Sequence, residues 1–186
     1  MAPEKLRVMR ILWVALLLST LIYLVVALFV PREATEELSR ESSPLMPPAF
    51  AALAVGLAAA SIAVPRRMAK ESLLQKRFAL VDVAADKRMF SDAKGRARRF
   101  QDSGAARAEA FPALQTSFIV GMALAEAIAL FGFVLLYLGF ELSWGLPFFA
   151  VCWVLMAGRY PSPARLDQQL EEAYDADLDQ HAGRLS

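Results

Sequence analysis

One apolar stretch constrains this chain more than any other. Residues Ser117–Phe140, SFIVGMALAEAIALFGFVLLYLGF, contain a single charged residue type, at Glu126. The run is long enough to cross the hydrocarbon core of a bilayer as an α-helix. At a rise of about 1.5 Å per residue, Glu126 lies roughly 12 Å from Phe118 and so near the midplane. An ionised carboxylate at that depth costs several kcal/mol, so we expect Glu126 to be buried between helices and neutral at pH 7.

The remaining composition indicates a membrane protein with several spans. Of the 186 residues, 57 % are hydrophobic, and the mean hydropathy is +0.41, whereas soluble domains contain about 45–50 % apolar residues. We predict an all-α polytopic protein. Its four transmembrane helices are expected at about 11–30, 45–64, 117–140 and 142–158. The predicted units are residues 1–64 with the first two spans, a loop at 65–115, a hairpin at 116–160 and a tail at 161–186.

The first and last apolar blocks each leave an alternative. The first follows Lys5, Arg7 and Arg10, as a signal peptide would, but its core exceeds the usual length of about 7–15 residues and no small-residue cleavage site precedes Pro31. We therefore favour a transmembrane helix. The last block is short for a crossing and contains Pro147, so a re-entrant hairpin is the alternative to a full span.

The loop at 65–115 is basic and has helical periodicity. Met68, Leu74, Phe78, Val81 and Met89 recur at about helical spacing, which predicts an amphipathic helix near the membrane surface. We expect the basic residues between 66 and 99 to contact anionic headgroups. We do not expect nucleic-acid binding, because no recognisable module accompanies the positive charge.

The tail at 161–186 is acidic and has its own apolar repeat. Leu166, Leu170, Tyr174 and Leu178 are each four residues apart, which predicts a short amphipathic helix. Ser162 and Pro163 suit the N-cap and first position of that helix. The helix either docks on the basic loop or stays solvated and partly frayed.

The distribution of basic residues predicts the orientation. Of the 20 Lys and Arg residues, 18 fall in the N-terminal segment, in the long loop or after the last predicted span, and with four spans these share one side. The positive-inside rule then places both termini in the cytoplasm. We expect a multi-pass protein of the bacterial inner-membrane type.

Small residues and hydroxyls mark the candidate contacts within the membrane. Small residues let helices approach closely in lipid, and two stripes of them are the candidate helix-packing sites: Ala52, Gly56 and Ala60, and Gly121, Ala125, Ala129 and Gly132. We expect the Gly56 face of the second helix to pack on the Gly121/Ala125 face of the third. The candidate hydrogen-bond partners of Glu126 are Ser19, Thr20 and Tyr23, although hydroxyls in a membrane helix also bond to their own helix's carbonyls.

The sequence offers no pattern for catalysis or for a bound cofactor. It contains one cysteine, Cys152, and one histidine, His181, and neither belongs to a cluster with metal-ligand spacing. No Gly-rich phosphate loop is present. We therefore expect neither an enzyme nor a metal or cofactor site.

Residues 108–138, AEAFPALQTSFIVGMALAEAIALFGFVLLYL, contain a recognisable pattern around Glu126. The stretch resembles the carboxylate-bearing outer helix of the rotor-ring c subunit of F- and V-type ATP synthases, which has the form G-x-A-L-x-E-A-x-A-x-x-G. The matching residues are Gly121, Ala123, Leu124, Glu126, Ala127, Ala129 and Gly132. The resemblance implies that Glu126 would bind a proton or Na⁺.

Two functions follow from these observations. The first is a structural or accessory membrane protein that forms a homo-oligomer or holds another membrane protein through small-residue faces, with Glu126 as a neutral hydrogen-bonding group. The alternative is a proton- or Na⁺-handling protein in which Glu126 changes its protonation state.

Overall fold

The computed structural model describes residues 3–29, 43–76, 78, 80–82, 98–174 and 176–178. Within them lie five helices: α1 (Pro3–Phe29), α2 (Met46–Leu74), α3 (Ser103–Tyr137), α4 (Leu142–Ala157) and α5 (Pro163–Tyr174). Three short strands accompany the helices: β1 (Leu80–Asp82), β2 (Arg98–Phe100) and β3 (Ala176–Asp177). The fold is thus helical, apart from a minimal sheet that the all-α prediction did not include.

Three of these helices are long and apolar enough to cross a membrane. They are α1 from Leu6 onward, α2 and α3, which is compatible with a multi-pass membrane protein. The fourth predicted span corresponds to α4, an apolar helix of only 16 residues. The prediction of membrane-spanning helices is therefore supported for three elements, and the count of four stays a prediction.

Helices of the bundle that follow one another along the chain run in opposite directions. Phe50 of α2 stacks on Phe131 of α3, with ring centroids 5.1 Å apart, whereas the far end of α2 reaches Gly121 through Pro65. These two contacts make α2 antiparallel to α3.

Ser19 meets Glu126 and Tyr23 meets Phe133, so α1 runs parallel to α3, and Trp13 bonds to Met156 near the end of α4. The starts of α1 and α3 and the ends of α2 and α4 therefore lie at the same end of the bundle, which we call the basic end.

Helix α3 lies at the centre and contacts different partners on two faces. On one face Ile128 and Leu135 pack with Phe148 and with residues of α2. On the other, Met122, Ala125 and Ala129 pack with Phe149, Cys152 and Met156 of α4 and with side chains of α1. A tight turn at Gly139, with φ of 82°, joins α3 directly to α4.

The helices α2 and α3 extend well beyond the predicted spans at the basic end. Helix α2 continues through Pro65 to Leu74, and α3 starts at Ser103, so much of the loop predicted at 65–115 is helical. A proline removes the backbone bond to the carbonyl four residues earlier, here that of Ser61, and Arg159 Nη2 donates to this carbonyl instead. At the start of α3, Asp102 acts as N-cap by accepting from the Ala105 N–H at 2.9 Å.

The predicted surface helix of the loop is only partly helical. Met68 and Leu74 belong to the extension of α2, while Leu80–Asp82 is a strand. In the sheet β1 pairs antiparallel with β2, with Leu80 opposite Phe100, and β2 pairs parallel with β3. Met89 of the predicted surface helix lies outside the described residues.

The helix extensions, α5 and the strands enclose a second apolar core at the basic end. We call it the peripheral core; its buried residues are Ala69, Leu73, Phe100, Ala106, Ala110, Leu114, Leu166, Leu170, Ala176 and Leu178. Ser162 Oγ accepts from the Arg165 N–H at 3.3 Å, at the start of α5. Arg107 and Asp167 form a bidentate pair at 2.8 and 3.1 Å, which ties α5 to α3.

The small-residue stripe of α2 does not face α3, contrary to the packing prediction. Ala52 and Gly56 are exposed, and no atom of the described residues outside the adjacent turns of α2 lies within 4 Å of the place that a Cβ at Gly56 would take. The face of α2 that meets α3 carries Phe50, Ala54, Leu57 and Ala58. These larger side chains fill the space beside Ile128 and Leu135, so contact with α3 does not require the glycine face.

Tyr174 connects the end of α5 to the end of α2. Its hydroxyl donates to the carbonyls of Leu73 and Lys76, the latter at 2.9 Å, and burial raises its pKa above the ordinary value of 10.0. As the pH rises, Tyr174 therefore ionises in the unfolded chain before it ionises in the folded protein. The stability that the neutral Tyr174 hydroxyl contributes is fully present below about pH 10 and is lost above it. We expect the free energy of unfolding in detergent to fall above pH 10 and to fall less in Tyr174→Phe. Identical slopes for both proteins would contradict this contribution.

Candidate functional site

Glu126 lies between α3 and α1, where two hydroxyls contact its carboxyl group. Ser19 Oγ donates to Glu126 Oε1 at 2.7 Å, and Tyr23 OH donates to the same oxygen at 3.2 Å. Ser19 and Tyr23 are four residues apart on α1, so they share one face of that helix. One turn of α1 therefore supplies both groups.

The surroundings of Glu126 favour hydrogen bonding over ion pairing. Among the described residues, no basic side chain lies within 4.0 Å of its carboxyl oxygens. Both hydroxyls donate to Oε1, so this one oxygen accepts two hydrogen bonds from neutral groups. The side chain is half-buried rather than buried as expected, because α2 covers a different face of α3.

Thr20 is not a partner of Glu126. It is fully buried and donates to the carbonyl of Leu17 at 2.8 Å. Its oxygen also accepts from Trp153 Nε1 of α4 at 3.0 Å. Successive residues of a helix point about 100° apart, so Thr20 faces α4 while Ser19 faces α3. Position along α1 therefore did not suffice to select the partners.

Polar contacts add to the apolar packing that attaches α1 to the bundle. Trp13 Nε1 donates to the carbonyl of Met156 at 2.9 Å, and the ring of Trp13 meets Tyr160 edge-on at 5.4 Å. Most of the large apolar side chains of α1 are exposed, as expected for a helix at the edge of a bundle. Neither contact of Trp13 was predicted from the sequence. The signal for the hydrogen bond was the indole N–H itself, which needs an acceptor away from water.

The small residues of α3 lie in helix interfaces. Gly121, Ala125, Ala129 and Gly132 are all buried. A Cβ at Gly121 would lie 3.0 Å from Pro65 Cγ, and one at Gly132 would lie 2.8 Å from the Gly145 carbonyl oxygen. This stripe thus serves contacts with both α2 and α4. On α2, Ala60 is half-buried, whereas Ala52 and Gly56 are exposed.

The described residues contain no group of three or more His, Cys, Asp or Glu side chains placed to hold a metal ion. Cys152, the free cysteine of α4, is buried in the cluster that includes Ala125 and Ala129. The chemistry of the site is therefore that of one carboxyl and two hydroxyls. That set can hold a helix or exchange a proton.

None of the protein-family models, curated proteins or solved structures with which the chain was compared matches it. The likeness of residues 108–138 to the c-subunit helix therefore depends on the sequence pattern around Glu126 alone.

Proposed function

We propose that this protein is a small integral membrane protein with a structural or accessory role, not an enzyme, in which Glu126 joins α1 to the rest of the bundle. In this proposal α4 is the fourth span and both termini are cytoplasmic. The membrane is of the bacterial inner-membrane type. The basic end of the bundle then faces the cytoplasm, in agreement with the positive-inside rule.

The observation that carries this proposal is the convergence of Ser19 and Tyr23 on one oxygen of Glu126. Lipid solvates apolar side chains as well as another helix does, so hydrogen bonds and close packing drive helix association in membranes. Such interhelical bonds contribute about 0.6–2 kcal/mol. For a helix with as much exposed apolar surface as α1, bonds of this size decide whether it stays attached.

Open surface on α2 supports an interaction role. Among the described residues, no atom outside its own helix lies within 4 Å of the place that a Cβ at Gly56 would take, so the exposed part of the stripe, Ala52 and Gly56, can meet a helix of another molecule. In the proposal this helix belongs to a second copy of the chain or to another membrane protein. The surrounding apolar surface contacts the lipid bilayer, and the basic residues of 66–99 contact anionic headgroups.

The half-burial of Glu126 favours ion handling as the second candidate function. A carboxyl that is partly exposed beside two hydroxyls can exchange a proton or take up Na⁺ without a large rearrangement. This candidate agrees with what the c-subunit resemblance implies for Glu126. It requires Glu126 to cycle between two states, whereas the structural role requires only the neutral one.

Substitution of Glu126 separates the two functions. Glu126→Gln keeps a carbonyl oxygen for Ser19 and Tyr23, so we expect it to preserve folding. Glu126→Ala removes the acceptor of both hydroxyls and should lower the free energy of unfolding by about 1–2 kcal/mol. The measurement is denaturation by SDS titration in detergent. Glu141→Ala, a change at an exposed carboxylate on the turn before α4, is the matched control.

Flux into liposomes completes the test. For the structural role, wild type and Glu126→Gln should show the same proton and Na⁺ flux as empty liposomes. Flux that is present in wild type and abolished in a folded Glu126→Gln protein would establish ion handling instead. A Glu126→Ala protein as stable as Glu141→Ala would remove the support for the structural role.

A further inference from the structure

A cleft of about 820 Å³ opens at the basic end of the bundle, beside the last turn of α4. Helices α2 and α3 extend beyond the end of α4, where the chain turns into α5. The cleft lies between these extensions and the turn from α4 to α5. Its volume is in the range of ligand pockets, about 300–1,000 Å³. The charged side chains that line it are Arg66, Lys70, Arg159, Arg165 and Glu172.

Arg159 is the central cation of this cleft. Its Nη2 donates to the carbonyl oxygen of Ser61 and, at 3.1 Å, to the Ser61 hydroxyl. These bonds fix the plane of the guanidinium group. Its Nη1 is buried, and no described residue accepts a hydrogen bond from it. Buried polar groups are nearly always hydrogen-bonded, so the Arg159 guanidinium has a hydrogen-bonding capacity that the described residues leave unused.

The lining of the cleft is net positive, because four basic side chains face one carboxylate, Glu172. Burial lowers the pKa of Arg159, and the nearby charges of Arg165 and Arg66 lower it further. The described carboxylates form no ion pair with any of these three arginines. Three neighbouring guanidinium groups therefore repel one another, and a bound anion would remove that repulsion.

The walls of the cleft are apolar towards the membrane. Ile62 of α2 and Val154 and Leu155 of α4 line it, and Val154 is 72 % exposed. A molecule that fills the cleft thus meets cations at one end and aliphatic side chains at the other. An anionic lipid has this arrangement of charge and hydrocarbon.

We infer that this cleft binds the phosphate headgroup of an anionic phospholipid, with Arg159 and Arg66 on the phosphate and the acyl chain along Ile62 and Val154. Arginine suits this task because its planar fork donates two parallel bonds to phosphate oxygens. Basic pockets between membrane helices are a known form of lipid headgroup site. The inference does not depend on the role of Glu126, which lies deeper in the bundle.

Lipid binding by the purified full-length protein tests this inference. Native mass spectrometry would compare phosphatidylglycerol with phosphatidylcholine as added probes, and we expect wild type to bind the anionic lipid at least about tenfold more tightly. Loss of one charge-assisted contact should weaken binding about tenfold or more, so Arg66→Gln and Arg159→Gln should both lose this preference. Arg66 is exposed, so Arg66→Gln is not expected to disturb folding.

Arg67→Gln is the matched control, because it removes the same charge from the adjacent residue, which does not line the cleft. We expect it to change phosphatidylglycerol binding less than about twofold. An equal loss in Arg67→Gln and Arg66→Gln would indicate diffuse attraction to the basic surface and overturn the site. Displacement of the lipid by millimolar inorganic phosphate would show a site for free phosphate and overturn the lipid assignment.

Discussion

Leu73→Ala should loosen the peripheral core, whereas the same change at the next residue should not. The Leu73 side chain is 1 % exposed within that core, and Leu74 is 54 % exposed. Truncation of a buried leucine costs about 2–5 kcal/mol, since apolar contacts are lost and a cavity remains. Substitutions at exposed positions usually stay within about 0.5 kcal/mol.

Hydrogen exchange of the amides in α5 measures this difference. Leu166 and Leu170 of α5 share the peripheral core with Leu73. Truncation of the Leu73 side chain should therefore increase the frequency with which α5 unfolds locally. A cost of about 2 kcal/mol corresponds to roughly thirtyfold faster exchange. Exchange in Leu74→Ala should match wild type. Equal protection of α5 in both variants would mean that α5 does not depend on this core.

Gly132→Ala should destabilise the bundle, and Gly56→Ala should not. At Gly132 a Cβ would lie 2.8 Å from the Gly145 carbonyl oxygen and 2.9 Å from Phe148 Cβ. Neither atom can move unless α4 shifts away from α3. Overpacking of this kind costs about 1–3 kcal/mol, whereas alanine in place of an unhindered helical glycine gains up to about 1 kcal/mol.

Thermal unfolding in detergent compares the two glycine variants. Both exchange glycine for alanine inside an apolar helix, so helix propensity alone would stabilise both. We expect the midpoint temperature of Gly132→Ala to fall and that of Gly56→Ala to stay or rise. A stable Gly132→Ala protein would contradict the close approach of α3 and α4. A destabilised Gly56→Ala protein would indicate that another helix packs closely against Ala52 and Gly56.

The apolar blocks predict the helices well but do not predict which faces meet. Burial distinguishes the faces of a helix in a soluble protein, but lipid accepts any apolar face, so rotation about the axis is only weakly encoded. The stripe at Gly56 suggested one face of α2, and the side chains around Phe50 supply the actual contact. Likewise, the rotation of α1 about its own axis decides that Ser19 and Tyr23, and not Thr20, contact Glu126.

The basic end was harder to predict because its parts are distant in sequence. Pro65 is a usual signal for a helix end, yet α2 continues because Arg159 satisfies the carbonyl that the proline leaves free. The start of α3 did carry a local signal, since Asp102 precedes a run of good helix formers. The peripheral core brings the ring of Phe100 to 5.6 Å from that of Tyr174, a contact that no local pattern could reveal.

The shortness of α4 has a consequence for the surrounding bilayer. Its 16 residues span about 24 Å, compared with a hydrocarbon thickness of about 30 Å. If α4 crosses as proposed, the membrane must become thinner beside it, or Arg159 must reach outwards to the headgroups. Lipids with short acyl chains relieve such a hydrophobic mismatch, so the protein should favour thin membranes over thick ones.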